Sequence, residues 1–233
     1  MPVNLYRTAL IVGAGSGLSA SLARALAKSG IKVALAARTT ADLAALTREI
    51  GAQAFACDAT QRDDVTKLFA DVEAACGAPD VVVYNASFRT RGPFVELDPS
   101  DVERAIAVSA FGGFLVAHEA ARRMLPHSHG AILFTGASAS VKGYAQSVPF
   151  AMGKFALRGL AQSLARELAP AGIHVAHFVI DGGIRSARRP EPPDKPNSLL
   201  DPDAIAETYL YVLGQPKNAW TWEVELRPWV ERF

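Results

Sequence analysis

The 233-residue chain has little cysteine, no excess charge of either sign and no long apolar run. Two cysteines are too few for a disulfide framework or a four-ligand zinc site, so we expect a reducing cytoplasm and predict no metal site. A formal net charge of +1 excludes bulk attraction to nucleic acid or to an anionic membrane as the basis of function. No stretch is apolar for about 18 residues, and the first ten residues lack a signal peptide's apolar segment. We therefore expect a soluble protein whose partner is a small molecule.

Short apolar segments alternate with longer segments of helical periodicity, which is typical of βαβ units around a parallel sheet. The predicted strands are Thr8–Val12, Lys32–Ala37, Gln53–Cys57, Val81–Val83, Ala131–Thr135, Ile173–Ile180 and one near Thr221–Leu226. Between them, apolar residues recur every three or four positions, which predicts helices. The sequence therefore predicts an α/β fold, a doubly wound Rossmann fold, with helices on both faces of a seven-stranded parallel sheet. Residues 1–233 would form a single domain.

One predicted helix is long. Ser100 and Glu103 match the Ser-x-x-Glu capping box, so the helix is predicted to begin there and to run to Leu125, before Pro126.

A proline-rich segment, residues 185–202, interrupts the alternation with five prolines and few apolar residues. It directly follows a strand whose carboxyl end should face a ligand crevice, so it could be a lid over that crevice. An insertion without a role is the alternative. The same choice applies to Arg185, Arg188 and Arg189, which either receive an anionic substrate or are simply solvated.

The first strand leads directly into a glycine-rich turn and then a helix, the arrangement of a dinucleotide site. Glycines let the backbone approach a pyrophosphate, whose charge the helix N-terminus stabilises. The predicted contacts in this turn are Gly13, Gly15, Ser16, Gly17 and Leu18.

Arg38 follows the second strand, where an NAD site would place an acidic residue on the ribose hydroxyls. An arginine there would instead pair with a 2′-phosphate, so we predict NADP(H) over NAD(H); a solvated strand-end arginine is the alternative. The missing acidic residue also argues against a Rossmann-type methyltransferase.

These features resemble the short-chain dehydrogenase/reductase family over essentially the whole chain. The turn from Gly13 to Ser19 is similar to the family's G-x-x-x-G-x-G loop, with serine as its last residue. Tyr84-Asn85-Ala86-Ser87 resembles the family's N-N-A-G at its two central positions, and Asp181-Gly182 resembles its P-G. The resemblance implies further cofactor contacts at Asp58, Asn85, Lys154, Gly182, Ile184 and Ser186.

The catalytic positions depart from the family pattern. Phe150 and Lys154 match the Y-x-x-x-K pair, but a phenyl ring has no exchangeable proton. The resemblance implies that Lys154 holds the nicotinamide ribose and that Ser138, one residue after the position of the family serine, polarises the substrate oxygen. Ser109 stands in place of the family asparagine.

Tyr144, in the loop before the Lys154 helix, could replace the missing acid and use Lys154 to lower its pKa; packing on the loop is the alternative.

Two functions remain open at this point. One is an NADP(H)-dependent oxidoreductase acting on a carbonyl or an alcohol, with an altered catalytic site. The other is a non-catalytic NADP(H)-binding protein, a redox sensor or assembly partner, which Phe150 favours. The resemblance also implies a homodimer or homotetramer, because the family's interface helices correspond to two helices with several small residues. Those residues are Ala105, Gly112, Gly113, Ala161 and Ala165.

Overall fold

The computed structural model describes residues 5–232, in which seven parallel strands form one sheet in the order β3-β2-β1-β4-β5-β6-β7. The strands are β1 Thr8–Val12, β2 Lys32–Ala37, β3 Gln53–Ala56, β4 Val81–Tyr84, β5 Gly130–Thr135, β6 Ile173–Ile180 and β7 Glu223–Leu226. This order reverses direction beside β1, between β1 and β4. The predicted doubly wound sheet is confirmed, and ligands of such sheets bind at the carboxyl edge where the order reverses.

Within residues 5–232, seven α-helices connect the strands. They are α1 Leu18–Lys28, α2 Ala44–Ile50, α3 Arg62–Cys76, α4 Pro99–Ile106, α5 Gly112–Met124, α6 Val148–Leu168 and α7 Pro202–Leu213. Glycines follow several of them; Gly51, for example, closes α2 with a φ of 67°, a left-handed conformation that costs glycine little.

The two faces of the sheet bury separate hydrophobic cores. On β1, Ile11 faces the core that contains Leu22 of α1 and Tyr209 of α7. The alternate residue Leu10 faces the second core, which contains Phe69 of α3 together with residues of α5 and α6. Because side chains alternate along a strand, a strand covered on both faces must be apolar throughout, and every residue of β1 is buried.

The long predicted helix differs from expectation at its start and in its middle. The predicted cap at Ser100 is wrong, because Asp98 is the N-cap and its Oδ1 accepts hydrogen bonds from the Ser100 backbone N–H at 2.9 Å and from its hydroxyl at 2.7 Å. Pro99 occupies the first helical position, where proline fits best, so the helix begins two residues earlier than predicted. A π-helical turn, Ala107–Phe111, then separates α4 from α5.

Of the five small residues expected at a subunit interface, four are buried inside the chain and Ala165 is half-buried. A Cβ on Gly112 would overlap the Tyr84 hydroxyl, and one on Gly113 would overlap Leu157. Ala105 and Ala161 are also buried. These residues bring α5 and α6 close to the sheet and to each other, so they carry no information about a second subunit.

Residues 185–202 form turns rather than a helix or strand up to Pro202, where α7 begins. The Arg185 N–H donates to the Leu200 carbonyl at 2.8 Å, which closes the segment at its base. Its role as a lid stays a prediction. Over the described part of the chain, each helix is too short or too polar to span a lipid bilayer.

Candidate active site

Two adjoining cavities open along the carboxyl edge of the sheet. The larger has a volume of about 780 Å³ and the smaller about 520 Å³, and Asn85 and Ser87 line both. They form one continuous groove because the loops after the parallel strands converge at this edge. We call the larger cavity the catalytic cleft.

One side of the glycine turn packs against the loop after β4, and its other side faces open space. Asn85 Nδ2 donates to Ser19 Oγ at 2.6 Å, and that hydroxyl donates to the Gly13 carbonyl at 3.2 Å. Gly13 has a φ of 85°, and a Cβ there would overlap the backbone of Ala86. A Cβ on Gly15 or Gly17, by contrast, would meet nothing within 4 Å.

That open surface lies at the N-terminus of α1, which no side chain caps. The first N–H groups of a helix need acceptors, and an anion is favoured there. The turn therefore fits a pyrophosphate, which would supply oxygen acceptors where backbone can approach it closely.

Arg38 and Asp58 lie in the smaller cavity, beside the glycine turn. Asp58 Oδ1 accepts hydrogen bonds from the Thr60 N–H at 3.0 Å and from the Thr60 hydroxyl at 2.8 Å. The Thr60 hydrogen bonds, first that of the backbone, and the charges of Arg38 and Arg104 lower the pKa of Asp58 despite its burial. The cavity thus holds a fixed carboxylate and an exposed guanidinium, a pair that fits an adenosine carrying a phosphate.

Lys154 lies on the floor of the catalytic cleft, almost fully buried. Its Nζ donates a 2.7 Å hydrogen bond to the Thr135 carbonyl at the end of β5. Burial lowers the pKa of Lys154 to about 8.

Phe150 lies one helical turn before Lys154 and also lines the cleft. The Lys154 Nζ is 5.8 Å from the centroid of its ring, and the Arg89 guanidinium carbon is 4.9 Å from the same centroid. Two cations therefore approach the ring that occupies the position of the family tyrosine.

Ser138 lies at the start of the loop between β5 and α6, next to a buried ion-pair network. Asp181, at the end of β6, has a side chain only 2% exposed, and its Oδ2 is 3.2 Å from both Lys142 Nζ and Arg227 Nη2. Burial alone would raise the pKa of Asp181, but hydrogen bonds from Ser138 and Lys142 and the nearby positive charges lower it. The carboxylate thus ties the Ser138 loop to β6.

Tyr144 lines the cleft and is 45% exposed, with the Lys142 Nζ 5.9 Å from its ring centroid. Hydrogen bonds to Asp181 and to Tyr144 raise the pKa of Lys142. The expected partner of Tyr144 was Lys154, which instead contacts Thr135 and Phe150. The cation beside Tyr144 is therefore Lys142, from the same loop, and not Lys154 of α6.

The structure brings most of the predicted site residues together. The catalytic cleft contains Ser138, Tyr144, Lys154, Gly17, Leu18, Asn85, Gly182, Ile184 and Ser186. The smaller cavity contains Gly13, Arg38, Asp58 and Asn85, and Ser16 lines a third cavity beside Gly17. Gly15 lines none of these three cavities, although it lies in the open turn beside them.

Sequence reasoning missed Lys142. Two features of the sequence could have identified it: Lys142 lies between Ser138 and Tyr144, and Asp181 stands where the family has proline. Ser109, in the asparagine position, is buried in the π-helical turn against Gly153, and its Oγ has no hydrogen-bond partner within residues 5–232.

The sequence pattern of the short chain dehydrogenase family matches residues 7–191, which include the glycine turn, Lys154 and the β6 loop. The chain belongs to the short-chain dehydrogenase family. An uncharacterized oxidoreductase of Staphylococcus aureus is 27% identical over 98% of this chain and 100% of its own length. This chain is therefore an oxidoreductase of the short-chain dehydrogenase type.

Solved structures agree with the family membership. A short-chain dehydrogenase from Rhodopseudomonas palustris superposes with a TM-score of 0.82 and 34% identity, covering 96% of this chain and 99% of that one. A metagenomic short-chain oxidoreductase, solved in complex with NADP, gives a TM-score of 0.83 and 28% identity over 95% and 97% of the two chains.

Proposed function

We propose that this short-chain oxidoreductase uses NADP(H) to interconvert a carbonyl compound and its alcohol, with Tyr144 as proton donor in place of the missing tyrosine. The observation that carries the proposal is the grouping of Ser138, Tyr144 and Lys154 around one cleft beside the glycine turn. The preference for NADP(H) is supported by Arg38 in the smaller cavity and by the NADP found in the metagenomic relative.

Each residue has a distinct role in this proposal. Lys154, the glycine turn and Arg38 hold the dinucleotide. When bound in reduced form, it supplies a hydride to the carbonyl carbon and is left as NADP⁺. The Ser138 hydroxyl, which donates to Asp181, rotates to donate its one hydrogen bond to the carbonyl oxygen instead. The Tyr144 hydroxyl donates the proton that completes the alcohol.

Lys142 is the cation next to Tyr144 in this proposal, in the place that Lys154 takes beside the family tyrosine. The Lys142 Nζ, 5.9 Å from the ring centroid, places a positive charge beside the group that gives up the proton. Asp181 keeps Lys142 in place and charged, since their oxygen and nitrogen are 3.2 Å apart. Solvent regenerates the phenol, because Tyr144 is half-exposed.

The test is NADPH absorbance with a panel of quinones, aldehydes and ketones, on the wild type, Tyr144→Phe and Lys142→Met. We expect Tyr144→Phe to lower kcat about 10²-fold or more, because general acid catalysis contributes that much. Lys142→Met should lower kcat less than Tyr144→Phe does, because it removes the positive charge beside the Tyr144 ring and leaves the hydroxyl in place. Tyr211→Phe, on the exposed surface of α7, is the matched control and should change nothing. Full activity in Tyr144→Phe would exclude Tyr144 as donor.

The alternative is a non-catalytic NADP(H)-binding protein, and Phe150 is the observation that favours it, because this position has no proton to give. Tight NADPH binding without turnover of any compound in the panel would support this alternative over the enzyme.

A further inference from the structure

We propose that the catalytic cleft binds a substrate with an anionic group, a carboxylate or a phosphate, and that Arg89 and Arg189 receive that group. The inference rests on the proposed function, since it names the substrate class of the same cleft.

Positive charge dominates the lining of the cleft. Five arginines line it, two from the loop after β4 and three from the segment after β6: Arg89, Arg91, Arg185, Arg188 and Arg189. Glu231 is the one carboxylate among the described lining residues. The chain as a whole is nearly neutral, so this concentration of one sign is local.

The arginines divide into two groups by position. Arg185 and Arg188 also line the third cavity, together with Ser16 and Gly17 of the glycine turn, and Arg185 pairs with Asp201 at 2.5 Å. They lie where a dinucleotide's phosphates would be.

Of the three cavities, Arg89, Arg91 and Arg189 line the catalytic cleft alone. Within residues 5–232, no carboxylate forms an ion pair with any of the three. These guanidiniums are available to a ligand in the cleft.

Arg89 is held close to the reacting position. Its guanidinium carbon lies 4.9 Å from the Phe150 ring centroid, and the Lys154 Nζ lies 5.8 Å from the same point. Arg189 enters the cleft from the segment after β6, where its backbone N–H donates to the Ser186 carbonyl at 3.0 Å and fixes the turn. A substrate between them would have its anionic group near the carbonyl that is reduced.

The cluster costs free energy without an anion. Burial, followed by the charges of Arg91 and Arg189, lowers the pKa of Arg89, so the three cations repel one another through the cleft. A carboxylate or phosphate removes this repulsion and fits the planar fork of a guanidinium with two hydrogen bonds. The Phe150 ring contributes the face over which the Arg89 guanidinium lies.

Binding tests the inference independently of turnover. We would titrate benzoylformate, and separately its neutral methyl ester, into the protein by calorimetry with NADP⁺ present and again without it, so that no ketone is reduced. The phosphate arm compares hydroxyacetone phosphate with hydroxyacetone.

We expect one of the anions to bind at least tenfold more tightly than its neutral partner. Arg89→Gln and Arg189→Gln should each remove at least fivefold of that preference, with NADPH affinity changed less than twofold. Arg48→Gln, an exposed arginine of α2 outside the described cavities, is the matched control and should retain the preference.

The outcomes separate this inference from the proposed function. Equal binding of anions and neutral partners, or a preference that survives both arginine substitutions, would overturn the inference even if neutral ketones are reduced. A preference that depends on the arginines, without NADPH oxidation, would support the anion site while the enzyme proposal fails.

Discussion

Replacing Phe150 by tyrosine restores a phenolic hydroxyl at the position where the family has its acid-base tyrosine. The Phe150 side chain lines the cleft rather than the core, so a hydroxyl on the ring enters open space. It would lie one helical turn before Lys154, which is already aimed at the ring from 5.8 Å.

The size of the effect follows from the charges around the ring. A unit charge about 5 Å from the new oxygen, at an effective dielectric constant of about 20, favours the phenolate by about 3 kcal/mol, or about 2 pKa units. Lys154 and Arg89 both lie at about this distance from the ring, and burial opposes them. The pKa of the new phenol should therefore fall from about 10 toward about 8, within the range useful for acid-base catalysis.

We expect Phe150→Tyr to raise the rate of carbonyl reduction with NADPH about 10²- to 10⁴-fold, equivalent to about 2.7 to 5.5 kcal/mol of barrier. If Tyr144 already supplies the proton, the gain will be nearer the lower figure. NADPH affinity should change little, because the glycine turn and Lys154 are unaltered.

The assay is NADPH absorbance for wild type and variant across pH 6 to 10, with the dinucleotide affinity measured by fluorescence. Phe155→Tyr is the control, since this phenylalanine lies on the same helix but is exposed outside the cleft. An unchanged rate in Phe150→Tyr with NADPH still bound would refute the reasoning that the ring position is aligned for proton transfer.

Three further predictions concern the cofactor, stability and assembly. Wild type should bind NADPH at least tenfold more tightly than NADH, about 1.4 kcal/mol, and Arg38→Asp should narrow or invert this ratio in calorimetry; equal wild-type affinities would contradict the role of Arg38. Lys154→Met should be more stable than wild type near pH 7 by about 2 to 3 kcal/mol, because there the folded wild type carries a buried charge that the variant lacks. Between about pH 8 and 10.5 the lysine keeps its proton only in the unfolded state, so the free energy of unfolding of the wild type rises with pH. The difference between the two proteins in urea unfolding should therefore close by pH 10.5. Wild type should form a dimer or tetramer in light scattering at micromolar concentration, and Phe114→Lys, on an exposed face with Phe111, should dissociate it; a monomeric wild type would count against assembly.

Much of the fold and of the dinucleotide groove could be read from the sequence, since these features are local. The unbroken apolar run of β1 after Thr8, the glycines that follow it and the four-residue spacing of Phe150 and Lys154 each depend on residues close together in the chain. For this reason the predicted ends of six of the seven strands agree with the structure within one residue. The predicted start of the seventh strand lies two residues before its observed start.

Tertiary structure decided which distant side chains meet. Lys142 and Asp181 are 39 positions apart, and only the pairing of β5 with β6 brings them together, which gives Tyr144 a cation other than the expected Lys154. The interior place of Gly112 likewise depends on Tyr84 of β4. Arg89 and Arg189 line one cleft for the same reason, because crossover connections place loops from distant parts of the chain at one edge of a parallel sheet. The periodicity of each segment does not show which loops meet at that edge.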